Sequence, residues 1–323
     1  MSHYAVAMSH TPLLGKVEVA ADVTAELDAH VETLRAEIER FDPTVIVLFA
    51  PDHYNGFFYD IMPPFCIGTA ARAIGDFGSA EGDLSVPAEL AQSLAQGVMD
   101  AGFDTAISRG MEVDHGAVQP LELLFGGLST RPVVPVFVNG VAVPLTPMER
   151  IRGFGAAVGR HLATTEERVL YLASGGLSHD PPVPQWADAD DQARAFLLAG
   201  RHPTTQARAA RESRVFATAE AFSQGAASIR DLNPTWDQAF LESLAAGDLA
   251  TIGGYDPEEM TRVAGHSAHE VRTWLAAFGA LQAAGGDYSV VTRYYRPIRE
   301  YIAGFGILSA APLGSAPSPR RHG

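Results

Sequence analysis

Three short apolar runs, each followed within a few residues by a histidine, constrain the fold of this chain most strongly. The runs cover residues 4–8, 45–49 and 169–173, and the histidines that follow them are His10, His53 and His179. Runs of this length are typical of strands buried within a sheet. Because the ligand crevice of an open α/β sheet lies beyond the carboxyl ends of its strands, the three histidines are predicted to lie at a site.

Helical spacing between these runs completes the pattern. Apolar residues recur every three or four positions from Val23 to Phe41, and similar spacing is found at 87–99, 148–162 and 257–281. The last of these is a long helix candidate with Glu270 beside its apolar stripe, and residues 133–138 are predicted as a further strand. The chain is therefore predicted to be α/β, with a central, mostly parallel or mixed sheet flanked by helices.

Composition divides the chain into one large unit and two accessory segments. Residues 1–309 are predicted to form a single large catalytic α/β domain. Residues 181–231 are charged and Ala-rich and are predicted to be a helical covering insertion, with helices at 186–198 and 205–222. Residues 310–323, rich in Pro, Ser, Gly and Arg, are predicted to be a disordered tail.

The net charge of −15 narrows the choice of partners. It comes from 38 acidic and 23 basic residues, so a basic surface that binds the phosphate backbone of nucleic acid is not expected. A small organic substrate is the better expectation. No apolar run reaches the roughly 20 residues that a membrane span needs, and the N-terminus lacks a signal-peptide pattern. The single cysteine, Cys66, is predicted to be buried, and a reducing cytoplasm is the expected location.

Two histidines and one carboxylate could form a metal site in this chain. Such a set binds iron(II) on one face and leaves positions open for a substrate and O2. His10 and His53 fit the two nitrogen positions. The residues alone do not select the carboxylate, because four are suitably placed: Glu112, Asp114, Asp180 and Glu270.

Four longer segments make the chain resemble a known family. They are LFAPDHYNGFFYD at 48–60, VDHG at 113–116, SGGLSH at 174–179 and RYYRPI at 293–298. With them, residues 3–309 resemble the class III extradiol ring-cleavage dioxygenases, and most closely the branch that acts on 3-(2,3-dihydroxyphenyl)propanoate and 2,3-dihydroxycinnamate. The resemblance implies that family's fold, an Fe(2+) cofactor, O2 as co-substrate, a ring-opened 2-hydroxy-6-oxonona-2,4-dienedioate product and a homo-oligomer.

The resemblance also implies roles for individual residues. His10, His53 and Glu270 match the family's metal ligands, Glu270 through the segment AGHSAHE at 264–270. His115 matches its proton donor and His179 its proton acceptor. These roles suit imidazole, because the pKa of a histidine is about 6.5 and the ring can take either role at neutral pH.

Several alternatives stay open from the residues themselves. His266 and His269 could each touch the metal, and His266 could instead pair with Glu270 one helical turn away. Asp114 is predicted either to orient a catalytic imidazole or to cap a loop. Arg293 and Arg296 could bind a substrate carboxylate, but pairing with the acidic surface is the favoured role for both. The rival functions are an extradiol dioxygenase for another catechol, a zinc hydrolase with the same ligands and a non-enzymatic binding protein.

Overall fold

The computed structural model describes residues 2–314, which form two β-sheets. In chain order the strands are β1 (His3–Met8), β2 (Val45–Ala50), β3 (Phe65–Gly68), β4 (Ala71–Ile74), β5 (Glu81–Asp83), β6 (Ala106–Ser108), β7 (Met111–Val113), β8 (Val133–Val138), β9 (Val169–Ser174), β10 (Tyr288–Ile298) and β11 (Ala303–Pro312). The main sheet has the order β10-β11-β1-β9-β2-β8-β3-β6, and β5-β4-β7 form a small second sheet.

The centre of the main sheet is parallel and its flanks contain antiparallel pairs. β9 pairs in parallel with both β1 and β2, and β2 pairs in parallel with β8. β11 runs antiparallel to β1, and β3 runs antiparallel to β8. The predicted mixed α/β sheet is therefore confirmed, and all four of its predicted strands are the central ones.

Helices cover both faces of this sheet. In chain order they are α1 (Ala21–Phe41), α2 (Ala88–Asp100), α3 (His115–Phe125), α4 (Met148–Leu162), α5 (Asp191–Ala199), α6 (Thr205–Ser223), α7 (Pro234–Ala245), α8 (Leu249–Gly253), α9 (Pro257–Ala264) and α10 (Val271–Gly285). Alternate residues of β2 show the two layers: Val47 lies in the core under α4 and α10, whereas Leu48 lies in the core under α1 and α3.

The predicted helix 257–281 is wrong as a single helix, because the chain breaks between α9 and α10. Gly265 has φ +102°, and a Cβ there would lie 2.3 Å from the carbonyl oxygen of His179. A short 3-10 segment, Ser267–Glu270, follows this close approach before α10 begins. The break places Glu270 at the start of α10 rather than in the middle of a helix.

Two other predicted boundaries also differ. The helix predicted at 186–198 begins only at Asp191, because the side chain of Asp190 accepts a hydrogen bond from the backbone N–H of Ala193 and caps it. The tail predicted at 310–323 begins too early, since β11 pairs with β10 as far as Pro312. Residues 315–323 of that tail lie outside the described residues. None of the helices formed by residues 2–314 is long and apolar enough to cross a membrane.

Candidate metal centre

His10 and His53 meet beyond the ends of two nearby strands. His10 follows β1 and His53 follows β2, and both strands are bonded to β9, which lies between them. The two ring centroids are 5.3 Å apart, with the ring planes 81° from parallel. His10 is only 5% exposed. The predicted placement of both histidines at one edge of the sheet is thus what the structure shows.

Glu270 brings a carboxylate to the same point. Its Oε1 lies 3.1 Å from Nε2 of His53, and its Oε2 lies 3.7 Å from Nε2 of His10. The backbone N–H of Gly176, in the loop after β9, donates to Oε2 at 2.7 Å. Glu270 is 1% exposed, so its charge is held by these neighbours rather than by water.

The other carboxylates that the sequence left open have different partners. Asp180 accepts from His266 at 2.8 Å, Glu112 lies 3.6 Å from His202, and Asp114 bonds the far side of the His53 ring. Of the four, therefore, only Glu270 contacts Nε2 of both His10 and His53.

His115 and His179 complete the cluster. The ring of His115 stacks on that of His53, with centroids 4.6 Å apart, and lies 5.5 Å from that of His10. Nε2 of His179 lies 3.2 Å from Oε1 of Glu270. The structure thus brings together all five residues that the sequence analysis singled out, over a span of 260 positions between His10 and Glu270.

Hydrogen bonds fix which nitrogen of His10 is available. The hydroxyl of Ser174 donates to the carbonyl oxygen of Gly116, so it must accept from Nδ1 of His10, which lies 2.9 Å away. Nδ1 of His10 therefore carries the proton, and the lone pair on Nε2 faces Glu270.

The other three rings follow the same rule. Nδ1 of His53 donates to Asp114 at 3.0 Å, and Nδ1 of His179 donates to the carbonyl oxygen of Leu177 at 2.8 Å. Nδ1 of His115 faces a further carboxylate at 2.6 Å, that of Asp76. In all four rings Nδ1 faces an acceptor of the protein, and Nε2 is therefore available to the site.

The electrostatics of the cluster call for positive charge. Burial alone would lower the pKa of His53, but Asp114 and Glu270 raise it well above its ordinary value. Burial alone would raise the pKa of Glu270, yet His179 and His10 hold it well below its ordinary value. Burial lowers the pKa of His10 to about 3, which favours the neutral ring that a metal ligand must be.

The donor set therefore fits a divalent transition metal. Lone pairs on imidazole nitrogens face a buried carboxylate, an arrangement that needs either protons or a cation between them. Two imidazoles and one carboxylate suit iron(II) or zinc. Among the described residues, ligand atoms of His10, His53 and His115 also lie within 4.8 Å of one another, so His115 is a second candidate for the third position.

The remaining residues raised by the sequence lie elsewhere. His266 pairs with Asp180 instead of Glu270, and Nε2 of His269 lies 2.8 Å from Thr261 Oγ1. Neither ring contacts the cluster. Arg296 pairs with two surface carboxylates, Asp22 and Glu26, and Arg293 donates to Gln238, so both lie outside the site.

Asp114 and Cys66 also have clear positions. Asp114 both caps α3, by accepting from the N–H of Gly116, and orients an imidazole, but that imidazole is His53 and not His115 or His179. Cys66 is buried in β3 as predicted, and burial raises its pKa to about 12.

Two residues that the sequence analysis missed support these rings. Asp76 is fully buried against His115, and Ser174 is fully buried against His10. Neither is near its partner in the sequence. The only local signal is that Asp76 lies in the turn GDFG at 75–78, and that Ser174 begins the segment SGGLSH.

Fold and site together define an α/β enzyme with a buried histidine and carboxylate cluster at the carboxyl edge of a mainly parallel sheet. Residues 4–306 match the family described as the catalytic LigB subunit of aromatic ring-opening dioxygenase. The chain belongs to this family.

Curated relatives agree with this membership. A Rhodococcus globerulus protein named 2,3-dihydroxyphenylpropionate/2,3-dihydroxicinnamic acid 1,2-dioxygenase is 52% identical over 96% of this chain and 98% of its own length. A Pseudomonas putida protein of that name, numbered 1, is 54% identical over 97% of this chain and 100% of its own length. The prediction of an extradiol catechol dioxygenase is confirmed, and neither the zinc hydrolase nor the binding protein gains support.

Proposed function

We propose that this chain is an Fe(II)-dependent dioxygenase that opens the ring of 3-(2,3-dihydroxyphenyl)propanoate, and of 2,3-dihydroxycinnamate, beside the hydroxyl pair. Both atoms of O2 enter the product, 2-hydroxy-6-oxonona-2,4-dienedioate in the case of the propanoate. The names of relatives at 52–54% identity over nearly the whole chain support the choice of substrate.

His10, His53 and Glu270 are the proposed ligands of the iron. The observation that carries this proposal is the convergence of a buried Glu270 carboxylate with Nε2 of His10 and of His53, whose Nδ1 atoms are already bonded elsewhere. When bound, iron(II) supplies a template for catecholate and O2 and a Lewis acid that favours loss of the catechol protons.

His179 is the proposed proton acceptor. Its Nδ1–H is held by the carbonyl oxygen of Leu177, so Nε2 is the atom that can take a proton from a catechol hydroxyl. It lies 3.2 Å from the Glu270 carboxylate, which stabilises the resulting imidazolium. The ring edge also lies close to Gly176, where a Cβ would lie 2.7 Å from Cε1 of His179.

His115 is the proposed proton donor. Its Nδ1 faces Asp76 and its ring stacks on His53, so Nε2 is the nitrogen from which the imidazolium form can give a proton to a substrate bound beside His53. Ring opening needs a proton at a defined position, and a fixed imidazole delivers one without rearrangement of the ring.

Anaerobic reconstitution tests the proposed reaction. The protein is loaded with Fe(II) without oxygen, 3-(2,3-dihydroxyphenyl)propanoate is added, and O2 is then admitted while absorbance and oxygen are followed. A yellow product and one O2 consumed per substrate are expected. The 3,4-dihydroxy isomer is the matched control for the position of the side chain. Absence of both colour and oxygen uptake would refute the proposed function.

Iron content separates the proposed ligands from the acid and base. His10→Ala, His53→Ala and Glu270→Ala are expected to lose iron. His115→Gln and His179→Gln are expected to retain one iron per chain while kcat falls by about 10²- to 10⁴-fold. His266→Gln is the control, because that ring pairs with Asp180 outside the cluster. Loss of iron in His115→Gln, with retention in Glu270→Ala, would reverse the assignment of the third ligand.

Cytoplasmic location and homo-oligomeric assembly belong to the same proposal. The single cysteine suits a reducing compartment, and the family resemblance implies the homo-oligomer. The proposed partners are O2 and a small catechol, without nucleic acid or membrane. Light scattering of the purified protein measures the assembly directly, and a strictly monomeric mass would contradict it.

A further inference from the structure

A tight turn holds a buried carboxylate against His115. Asp76 is fully buried, and its two oxygens accept from two N–H groups of the same residue: Oδ1 from the backbone N–H of His115 at 2.8 Å, and Oδ2 from Nδ1 at 2.6 Å. One side chain therefore fixes both the position of His115 at the start of α3 and the orientation of its ring.

The turn that carries Asp76 has an unusual backbone conformation, which places a second residue against His115. Gly75, Phe77 and Gly78 all have positive φ, of 68°, 48° and 66°. For Phe77, which carries a side chain, this conformation is costly. Its N–H is held by Glu212 of α6 at 2.8 Å, and its ring packs edge-on against His115 with centroids 5.0 Å apart. Two adjacent residues of the turn, Asp76 and Phe77, thus contact the His115 imidazole from two sides.

We infer that Asp76 is a positioning residue for the proton-donating His115, because it keeps one proton on Nδ1 and so makes Nε2, which is directed into the site, the nitrogen that takes up and then delivers the catalytic proton. This inference rests on the proposed function for the role of His115. Asparagine cannot replace the carboxylate here, because its amide has only one acceptor oxygen for the two N–H groups. If that oxygen bonds the backbone N–H, the NH2 group faces Nδ1 and drives the proton to Nε2.

The geometry also raises a metal-binding alternative for Asp76. Ligand atoms of Asp76, Asp114 and His115 lie within 4.8 Å of one another. Hydrogen bonds account for this closeness, since Oδ2 of Asp114 is taken by the backbone N–H and Nδ1 of His53 as well as by Nδ2 of Asn55. A positioning role is therefore favoured, and a second metal becomes an outcome of the test.

The test compares Asp76→Asn, His115→Gln and the double variant in the iron-loaded enzyme. Asp76→Asn is expected to lower kcat by about 10- to 100-fold, with KM for 3-(2,3-dihydroxyphenyl)propanoate within about 3-fold and one iron per chain retained. In the His115→Gln background the same substitution should cause no further loss, because it acts through that ring. Ser79→Ala is the matched control: its hydroxyl bonds Asp76 in the same turn without touching His115.

A second readout does not depend on activity. In metal-free protein, ¹⁵N shifts of the histidine rings report which nitrogen carries the proton, and the signals missing from His115→Gln identify that ring. Wild type should show His115 protonated on Nδ1, and Asp76→Asn should show a shift toward Nε2. If Asp76→Asn does not fold, Asp76→Ser replaces it, since its short hydroxyl cannot reach both N–H groups.

The outcomes separate this inference from the proposed function. Wild-type kcat and an unchanged tautomer in Asp76→Asn, beside an impaired His115→Gln, would overturn the role of Asp76 alone. Additive losses of kcat in the double variant would also overturn the role of Asp76. A fall from two irons per chain in wild type to one in Asp76→Asn would overturn it too, because Asp76 would then bind a second metal. A fully active His115→Gln would instead overturn the proton-donor role, while the ¹⁵N shifts still decide what Asp76 does to the ring.

Discussion

Replacing Ser174 by alanine should weaken iron binding although Ser174 is not a proposed ligand. Its hydroxyl accepts from Nδ1 of His10 at 2.9 Å and donates to the carbonyl oxygen of Gly116. Ser174 is fully buried and His10 is 5% exposed, so water cannot readily replace the hydroxyl. Alanine therefore leaves the His10 ring without the acceptor that keeps its proton on Nδ1.

The size of the effect follows from this geometry. Loss of a hydrogen-bond partner behind a metal-bound histidine lowers metal affinity by about 10- to 100-fold, or about 1.4–2.7 kcal/mol. The same substitution leaves Gly116 O and Nδ1 of His10 unpaired, which costs about 1–3 kcal/mol in the free energy of unfolding. The two effects must be measured separately.

Ser309→Ala provides the control for stability. Ser309 is also fully buried and its hydroxyl donates to Glu37 at 2.7 Å, but it lies on β11, away from the cluster. Iron affinity is measured by anaerobic competition with a chelator, and unfolding of the metal-free proteins by urea. Both variants should lose stability, and only Ser174→Ala should lose iron affinity. Equal iron affinity in wild type and Ser174→Ala would refute the tautomer argument for His10.

Three further predictions concern the scaffold. Gly265→Ala should lower the free energy of unfolding by about 2 kcal/mol or more and reduce kcat, since φ is +102° and the new Cβ would press on the backbone of His179; urea unfolding and oxygen uptake measure the two effects. Gly155→Ala should destabilise by about 1–3 kcal/mol, because its Cβ would lie 2.1 Å from the carbonyl oxygen of Ala276, but iron per folded chain should not change. Because burial raises the pKa of Cys66 from 9.0 to about 12, its alkylation at pH 8 should be slower than that of a free thiol by at least about 10³-fold. The raised pKa also contributes stability that is fully present below pH 9.0 and is lost as pH rises toward 12. Between these pH values the urea midpoint of wild type should therefore fall more than that of Cys66→Ala.

Apolar runs made the centre of this fold predictable. β1, β2, β8 and β9 are buried along their whole lengths, so burial on both faces appears in the sequence as an unbroken apolar run. The placement of His10 and His53 follows from the same observation, because parallel strands end at one edge. Neighbouring strands could not be paired from the sequence, since β9 lies between β1 and β2 but follows both in the chain.

The carboxylate and the hydrogen-bond partners of the rings had no local signal. The apolar stripe continues through residues 257–281, so Gly265 alone did not reveal the break that turns Glu270 toward the site. Asp76 is 39 positions from His115, and Ser174 is 164 positions from His10. Contacts across such distances depend on the packed fold, and only the family resemblance selected Glu270 in advance.

Contacts with Glu270 distinguish the roles of the four rings. Nε2 atoms of His10, His53 and His179 lie 3.1–3.7 Å from its carboxylate oxygens. Nδ1 of His115 instead faces a different carboxylate, that of Asp76, and its ring lies against those of His10 and His53. If His115 were a ligand in place of Glu270, a fully buried carboxylate would face the metal without binding it, and burying that unused charge would cost several kcal/mol. With Glu270 as ligand, its charge is compensated by the metal, and His115 and Asp76 form a separate unit directed at the substrate. The retention of iron in His115→Gln is therefore the measurement on which the division of the cluster depends.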